Sequence, residues 1–314
     1  MLNGEPSYNP LVSVIIPNYN HSLFLGERID SVLNQRYQNF EVILLDDGST
    51  DNSREIIEKY RGLEKVKHIV YNEKNSGNTF VQWNKGVELA VGEWVWIAES
   101  DDRAHPDFLS KSLEVAREED LIFCKSLIIN EHGTETTYLG EPFFPTDKVF
   151  SPDKNCDRID SSAFLEEHMY NFNHIVNASS VITKRSILKH WIPNILGFKL
   201  CGDWMLWSII LTHGKACYLH EGLNYFRVHD RTLRALESNN IETFYENARI
   251  AKYIFRKRPT NVLKQRISAY LIFAYFNRYS KAQRKGTFLT FLNVISIYGL
   301  KAVIQTLRHK LRHD

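Results

Sequence analysis

The chain has 314 residues, of which 43% are apolar and 24% charged, with a formal net charge of +2. That apolar content excludes a disordered chain. Fifteen glycines and nine prolines without any repeat period exclude collagen-like and solenoid classes. The length suits one large α/β domain with an appendage. Four cysteines, Cys124, Cys156, Cys201 and Cys217, lack CxxC spacing, so neither a zinc site nor a disulfide framework is expected. With no basic n-region and no long apolar run at the N-terminus, the expected location is cytoplasmic.

The small net charge conceals an asymmetry. Residues 249–314 carry 15 Lys and Arg against one acid, Asp314, and so +14, which leaves −12 for the first 248 residues. A basic tail on an acidic body points to an anionic partner.

In chain order, Leu11–Pro17 (LVSVIIP) is a β-branched apolar run, the pattern of a strand covered on both faces. Leu25, Ile29, Val32 and Leu33 give helical spacing over 22–36. Phe40–Leu45 is a second buried strand and runs into Asp46-Asp47-Gly48-Ser49, a turn that caps a helix over 52–60. A strand at Val66–Tyr71, a helix over 77–91 and a strand at Trp94–Ala98 follow, the last ending in Glu99-Ser100-Asp101-Asp102. This alternation is the signature of βαβ units in a doubly wound sheet. Two acidic clusters at the carboxyl ends of strands should therefore line one crevice. Further on, the pattern predicts a helix at Asp107–Arg117 and a strand at Leu121–Ile129. Hairpins or loops over 130–160, a strand near Ala178–Thr183 and a helix at Asp203–Thr212 come next. Two short strands, Lys215–Leu219 and Leu223–Val228, precede basic helices beyond Thr232.

Common sites are missing. There is no GxxxxGK[ST], no GxGxxG after the first strand, no HExxH and no Gly-x-Ser-x-Gly. The adjacent Asp46 and Asp47 lack the Asp-x-Asp spacing of aspartyl-phosphate phosphatases. A strand-end carboxylate pair can hold a hard divalent cation, which would neutralise a diphosphate leaving group. The same pair, Asp101-Asp102, also reads as a turn before a helix.

Several segments together resemble glycosyltransferase family 2: VSVIIPNYN (12–20), SVLNQRYQNFEVILLDDGSTD (31–51), N-S-G (75–77), N-K-G (84–86), A-x-G-E-W (90–94) and the ESDD segment. A weaker likeness continues through CGDWMLW (201–207) and NYFRVHDRT (224–232). The resemblance implies a GT-A fold, a mixed doubly wound α/β sheet with a nucleotide-binding half (11–102) and an acceptor half (103–232); the basic helical region (233–314) is read from its charge and pattern alone and lies outside the resemblance. The resemblance also implies nucleotide contacts at Pro17, Tyr19, Asp47, Asp101 and Arg227. Asp102 and His229 would be metal ligands for Mn²⁺ or Mg²⁺. Asp203 would be the catalytic base, although after Gly202 it also reads as a helix cap, and Trp204 beside it would stack on the acceptor sugar. Two departures stand out: Gln82-Trp83-Asn84 where many relatives have Ala-Arg-Asn, and Phe226 in place of a tyrosine.

The implied activity is an inverting, metal-dependent transfer from a nucleotide-diphosphate sugar to a hydroxyl of a saccharide or lipid-linked acceptor, in surface polysaccharide synthesis. The rivals are a nucleotidyltransferase, whose glycine-rich basic loop is not found in NYNHSLFL, and a non-catalytic nucleotide-sugar-binding protein. The basic tail reads either as an amphipathic surface for an anionic membrane, placing the enzyme at the inner face, or as a helical pair packed on the body. Nucleic acid is not an expected partner, since no nucleic-acid-binding module accompanies the charge.

Overall fold

A computed structural model of the chain describes residues 8–116, 118–136, 156–229 and 241–278. Its strands are β1 (Val12–Asn18), β2 (Phe40–Asp46), β3 (Val66–Tyr71), β4 (Trp94–Ile97), β5 (Arg103–Ala104), β6 (Leu121–Ile129), β7 (Cys156–Arg158), β8 (Val181–Lys184) and β9 (Ala216–Arg227). The α-helices are α1 (Ser22–Leu33), α2 (Ser53–Glu58), α3 (Thr79–Leu89), α4 (Phe108–Val115), α5 (Ser161–Phe164) and α6 (Arg185–Trp191). They continue with α7 (Gly202–His213), α8 (Ile241–Lys257) and α9 (Asn261–Arg278).

The described strands form one mixed sheet in the order β3-β2-β1-β4-β8-β6-β9-β5, with β7 beside β9. The pairings β3–β2, β2–β1 and β1–β4 are parallel. The pairings of β8 with β4 and β6 are antiparallel, so the chain order and the strand direction both change after β4. Every residue of β1 and β2 is buried. Two-sided burial is what their largely apolar, β-branched composition requires, because parallel strands have helices on both faces, and the buried polar pair Ser13 and Glu41 is hydrogen-bonded at 2.6 Å. Val14, Ile16, Val42, Leu44, Trp96, Phe108 and Leu109 belong to one apolar core with Leu25 and Ile29 of α1.

Glycine in the N-K-G segment has a packing reason. A Cβ on Gly86 would stand 2.4 Å from Ile15 Cγ2, so only glycine lets α3 lie this close to β1.

Two expectations change, and three short elements were not foreseen. The two short strands after 214 are a single strand, β9, which stays paired with β6 through register shifts beside Lys125. The extra residues, His220, Glu221 and Leu223, interrupt the period-2 pattern and make one strand read as two. The strand placed near Ala178 begins at Val181, after a 3₁₀ turn over Ala178–Ser180 capped by the Asn177 side chain. β5, α5 and α6 are too short to leave a periodic signal. Residues 137–155, within the segment expected to form hairpins or loops, and the part of the basic helical region after residue 278 lie outside the described residues.

The chain divides into two compact units. The first comprises 1–159, 175–199 and 213–229 and contains the whole described sheet; the second comprises 160–174, 200–212 and 230–314. Segments 160–174 and 200–212, which precede the expected boundary at 232, therefore cluster with the helices after it. Specific contacts explain this. Glu246 of α8 accepts from the Leu200 and Cys201 amides at 3.1 and 2.7 Å, and Thr260 donates to Glu166 at 2.6 Å. On α8, Phe244, Ala248, Ala251 and Ile254 are buried at helical spacing. Among the described residues, no helix is long and apolar enough to cross a membrane.

Candidate functional site

The first unit assembles its polar residues at the carboxyl ends of β2, β1 and β4, which are neighbours in the sheet. Asp46 ends β2, and Asp47 and Gly48 form the turn. Gly48 has φ of +72°, and a Cβ there would lie 2.7 Å from the Asn75 amide nitrogen, so this turn demands glycine. The two acids of the turn have different partners. Asp46 accepts from Asn18 Nδ2, the Ser49 amide and Arg54 Nε at 3.1, 3.1 and 3.2 Å. Asp47 accepts only from neutral donors. Asn72 Nδ2, the Ser76 amide and Gln82 Nε2 approach its Oδ1 at 2.6, 3.0 and 2.8 Å, and Ser76 Oγ donates to Oδ2 at 2.6 Å. The N-S-G segment thus holds the Asp47 carboxylate, and Gln82, at the first departure from the family pattern, helps to hold it. Pro17 is buried within β1, while Tyr19 just beyond the strand is 41% exposed.

After β4 the chain turns through Glu99-Ser100-Asp101-Asp102. Asp102, expected as a metal ligand, faces inward instead. It is 1% exposed, with Oδ2 accepting from Asn177 Nδ2 at 2.9 Å and Oδ1 from the Arg227 amide at 2.9 Å. The fully buried Arg28 guanidinium lies 3.7 Å from Oδ2 and over the Trp96 ring. Arg227, expected at the diphosphate, is likewise internal. Its Nε donates to the Asp101 carbonyl at 2.7 Å, its Nη1 to the Asn130 and Glu131 carbonyls at 3.0 and 3.1 Å, and its Nη2 pairs with Glu27 at 2.5 Å. With 1% exposure it fixes the Asp101 backbone rather than meeting solvent.

Asp101 is the acid that faces the site. His229 Nε2 lies 3.2 Å from Asp101 Oδ2, and one ligand atom each of His21, Asp101 and His229 fall within 4.8 Å of one another. One carboxylate oxygen and two imidazole nitrogens at that spacing are a donor set that fits a divalent cation. Electrostatics follow from these partners. Burial would raise the Asp101 carboxyl, but His21 and His229 outweigh it and hold the group below its usual range. Burial, reinforced by the charge of Asp101, raises Asp102. Burial also pushes Glu99 up to about 8, with Asp101 adding to the rise and Trp83 Nε1 donating to its carboxyl at 2.8 Å. Trp83 is thus committed to Glu99 where many relatives carry an arginine.

In the second unit, Asp203 lies in the first turn of α7 and accepts from Asn173 Nδ2 at 2.9 Å. Trp204, expected to stack on a sugar, is instead 5% exposed, with Nε1 donating to the Met169 carbonyl at 2.9 Å.

Sequence reasoning missed His21, Arg28 and Asn177. His21 sits within the quoted NYNHS segment, but nothing local relates it to a histidine more than two hundred residues away. Arg28 is masked by its helical setting.

The family model for glycosyl transferase family 2 matches residues 13–172, half of the chain. The chain belongs to glycosyltransferase family 2. Among relatives in this family, a putative teichuronic acid biosynthesis glycosyltransferase, TuaG of Bacillus subtilis, is 39% identical over 117 residues, 37% of this chain and 46% of its own length. Two further curated glycosyltransferases match over 36% and 45% of their lengths, so the chain spans less than half of these relatives. Among solved structures, S. aureus TarS 1–349 in complex with UDP-GlcNAc superposes with a TM-score of 0.66 at 19% identity, covering 93% of this chain and 81% of that one. A Pyrobaculum calidifontis mannosyltransferase in complex with GDP-Man and Mn²⁺ gives 0.56 at 17% identity, over 96% and 88% of the two chains. These likenesses show the GT-A fold for this family 2 chain.

Proposed function

We propose that the protein is an inverting, divalent-cation-dependent glycosyltransferase that moves a sugar from a nucleotide-diphosphate donor to a hydroxyl of a saccharide or lipid-linked acceptor in surface polysaccharide synthesis. The observation that carries this reading is the sheet order. Adjacent parallel strands β2, β1 and β4 deliver Asp47, Tyr19 and Asp101 to one edge, the place where open α/β sheets take nucleotides. In this reading the exposed Tyr19 ring covers the base and Asp47 accepts from its imide edge. A uracil base has support from the UDP-GlcNAc bound by TarS. Asp101 and His229 would hold Mn²⁺ or Mg²⁺, and the cation would offset the charge of the departing diphosphate. Asp102 and Arg227 position Asp101 rather than touch the donor.

The proposed step is one in-line displacement. The acceptor oxygen bonds to the anomeric carbon as the bond from that carbon to the diphosphate oxygen breaks; the electron pair leaves with the diphosphate. Asp203 keeps the role that the family resemblance gives it and takes the acceptor proton. Residues 11–102 serve the donor, 103–232 the acceptor, and the basic region 233–314 supports a peripheral place on an anionic membrane face.

The test is transfer from UDP-GlcNAc with Mn²⁺ to saccharide fragments, followed by UDP release and by NMR of the product anomer. Asp203→Asn should cost roughly 10²–10⁴-fold in turnover with donor affinity unchanged. Binding of UDP with no turnover on any acceptor would favour the non-catalytic alternative. Turnover within a few-fold in Asp203→Asn would remove that residue from the chemistry.

A further inference from the structure

His21 has no role in the proposed donor site, yet the structure prepares it for one. It precedes α1 as the N-cap residue, but its side chain makes no capping hydrogen bond. Only its backbone carbonyl serves the helix, accepting from the Phe24 and Leu25 amides, each at 2.9 Å. The ring therefore does not cap α1, and touches it only through the Phe24 ring.

Its direction is nevertheless fixed. Asn20, just before it, has φ of +56°, the one non-glycine residue with positive φ among the described residues. Asparagine tolerates that region better than most side chains, and such backbone strain persists where surrounding contacts enforce it. Those contacts come from the Asp46–Thr50 turn. The Thr50 amide donates to Asn20 Oδ1 at 2.8 Å, and the Asn20 amide donates to Ser49 Oγ at 3.0 Å. From the other side, the buried Ser100 hydroxyl lies 2.8 Å from His21 Nδ1. An outer hydroxyl of this kind is what orients an imidazole ligand. The His21 ring then meets the His229 ring edge-on, at 5.7 Å between centroids and 89° between planes. Together with Asp101 the two histidines bring one ligand atom each within 4.8 Å of the others.

The geometry points to His21 as a third protein ligand of the divalent cation, making the site two imidazoles and one carboxylate. This inference rests on the reading that Asp101 and His229 hold a cation. Its consequences are two. Three protein donors bind a cation before any nucleotide arrives, whereas two would lean on diphosphate oxygens. A second nitrogen donor also shifts preference toward Mn²⁺ and away from Mg²⁺, which favours oxygen ligands. The remaining coordination positions are left for diphosphate oxygens.

The test uses the full chain and Mn²⁺ alone, read by electron paramagnetic resonance titration and by nitrogen couplings to the bound ion. The unmodified chain should bind Mn²⁺ without nucleotide and show two imidazole nitrogens. His21→Ala should weaken Mn²⁺ binding at least tenfold, show one nitrogen, and bring the Mn²⁺ and Mg²⁺ affinities closer together. His21→Phe, which keeps the ring contacts with Phe24 and His229, should match His21→Ala and so separates ligation from packing. One nitrogen in the unmodified chain, or Mn²⁺ affinity within twofold in both variants, overturns the inference while Asp101→Ala still abolishes binding. Asp101→Ala with unchanged Mn²⁺ affinity, or an unmodified chain that takes up no Mn²⁺, overturns the underlying cation reading as well.

Discussion

The turns after β2 and β4 each carry two adjacent acids, and the two turns use them in opposite ways. In each pair one acid takes a cation as its partner and the other is left to face the site. After β2 it is the first, Asp46, that pairs with a cation, Arg54, while Asp47 is surrounded by amides and a hydroxyl. After β4 it is the second, Asp102, that lies beside buried Arg28, while Asp101 faces two imidazoles. Neutral N–H and O–H donors fix a carboxylate as a hydrogen-bond acceptor of set direction. Imidazoles, which carry lone pairs, let a carboxylate share a cation. The chemistry of each turn is thus set by its neighbours, not by the acids.

The largest expected effect separates Asp102 from Asp101. Asp102→Ala leaves Arg28 as an uncompensated buried charge and should cost roughly 3–5 kcal/mol in stability. Asp101→Ala, at a residue whose side chain is 16% exposed, should cost under about 1 kcal/mol while removing Mn²⁺ binding. Urea unfolding of both variants checks this, and equal costs would break the contrast between the two acids.

Gly48→Ala tests the other turn. A φ of +72° and a 2.7 Å approach to the Asn75 amide nitrogen should together cost about 2 kcal/mol and weaken UDP binding, measured by unfolding and by calorimetry. A loss of stability without loss of UDP affinity would detach this turn from the nucleotide.

His174 in the second unit supplies a third kind of environment, a buried ionisable group among rings. It packs with Phe164, His168 and Phe172, and burial, with His168 adding to it, lowers its pKa to about 4 from an ordinary 6.5. The unfolded chain then binds a proton between pH 6.5 and 4 that the folded chain does not, so stability falls as pH falls through this window. The slope should approach about 1.4 kcal/mol per pH unit below 6.5, and His174→Phe should flatten it. Denaturation series at pH 7 and 5 measure the difference, and parallel curves for the two proteins would refute the assignment.

The smallest effect is Ser76→Ala. Losing one of four donors to Asp47 should cost about 1 kcal/mol, or roughly fivefold in UDP affinity by calorimetry. A change below twofold would mean that the other three donors hold the carboxylate unaided.

The sequence by itself determined the elements that local pattern encodes. The largely apolar runs of β1, β2 and β6, the helical spacing of α1, and the glycine turn after β2 were legible because periodicity and backbone preference act over a few residues. The motif set likewise pointed to the family before any geometry was known. What only the tertiary structure decided is which side chain of each motif meets the site. Asp101 rather than Asp102 faces His229 because Arg28, Asn177 and the Arg227 amide, distant in sequence, claim the other acid. Trp204 is buried because its indole N–H meets the Met169 carbonyl. His21 and His229 meet because β9 brings one to the turn that holds the other. Such pairings depend on long-range burial and charge compensation, which leave no periodic trace along the chain.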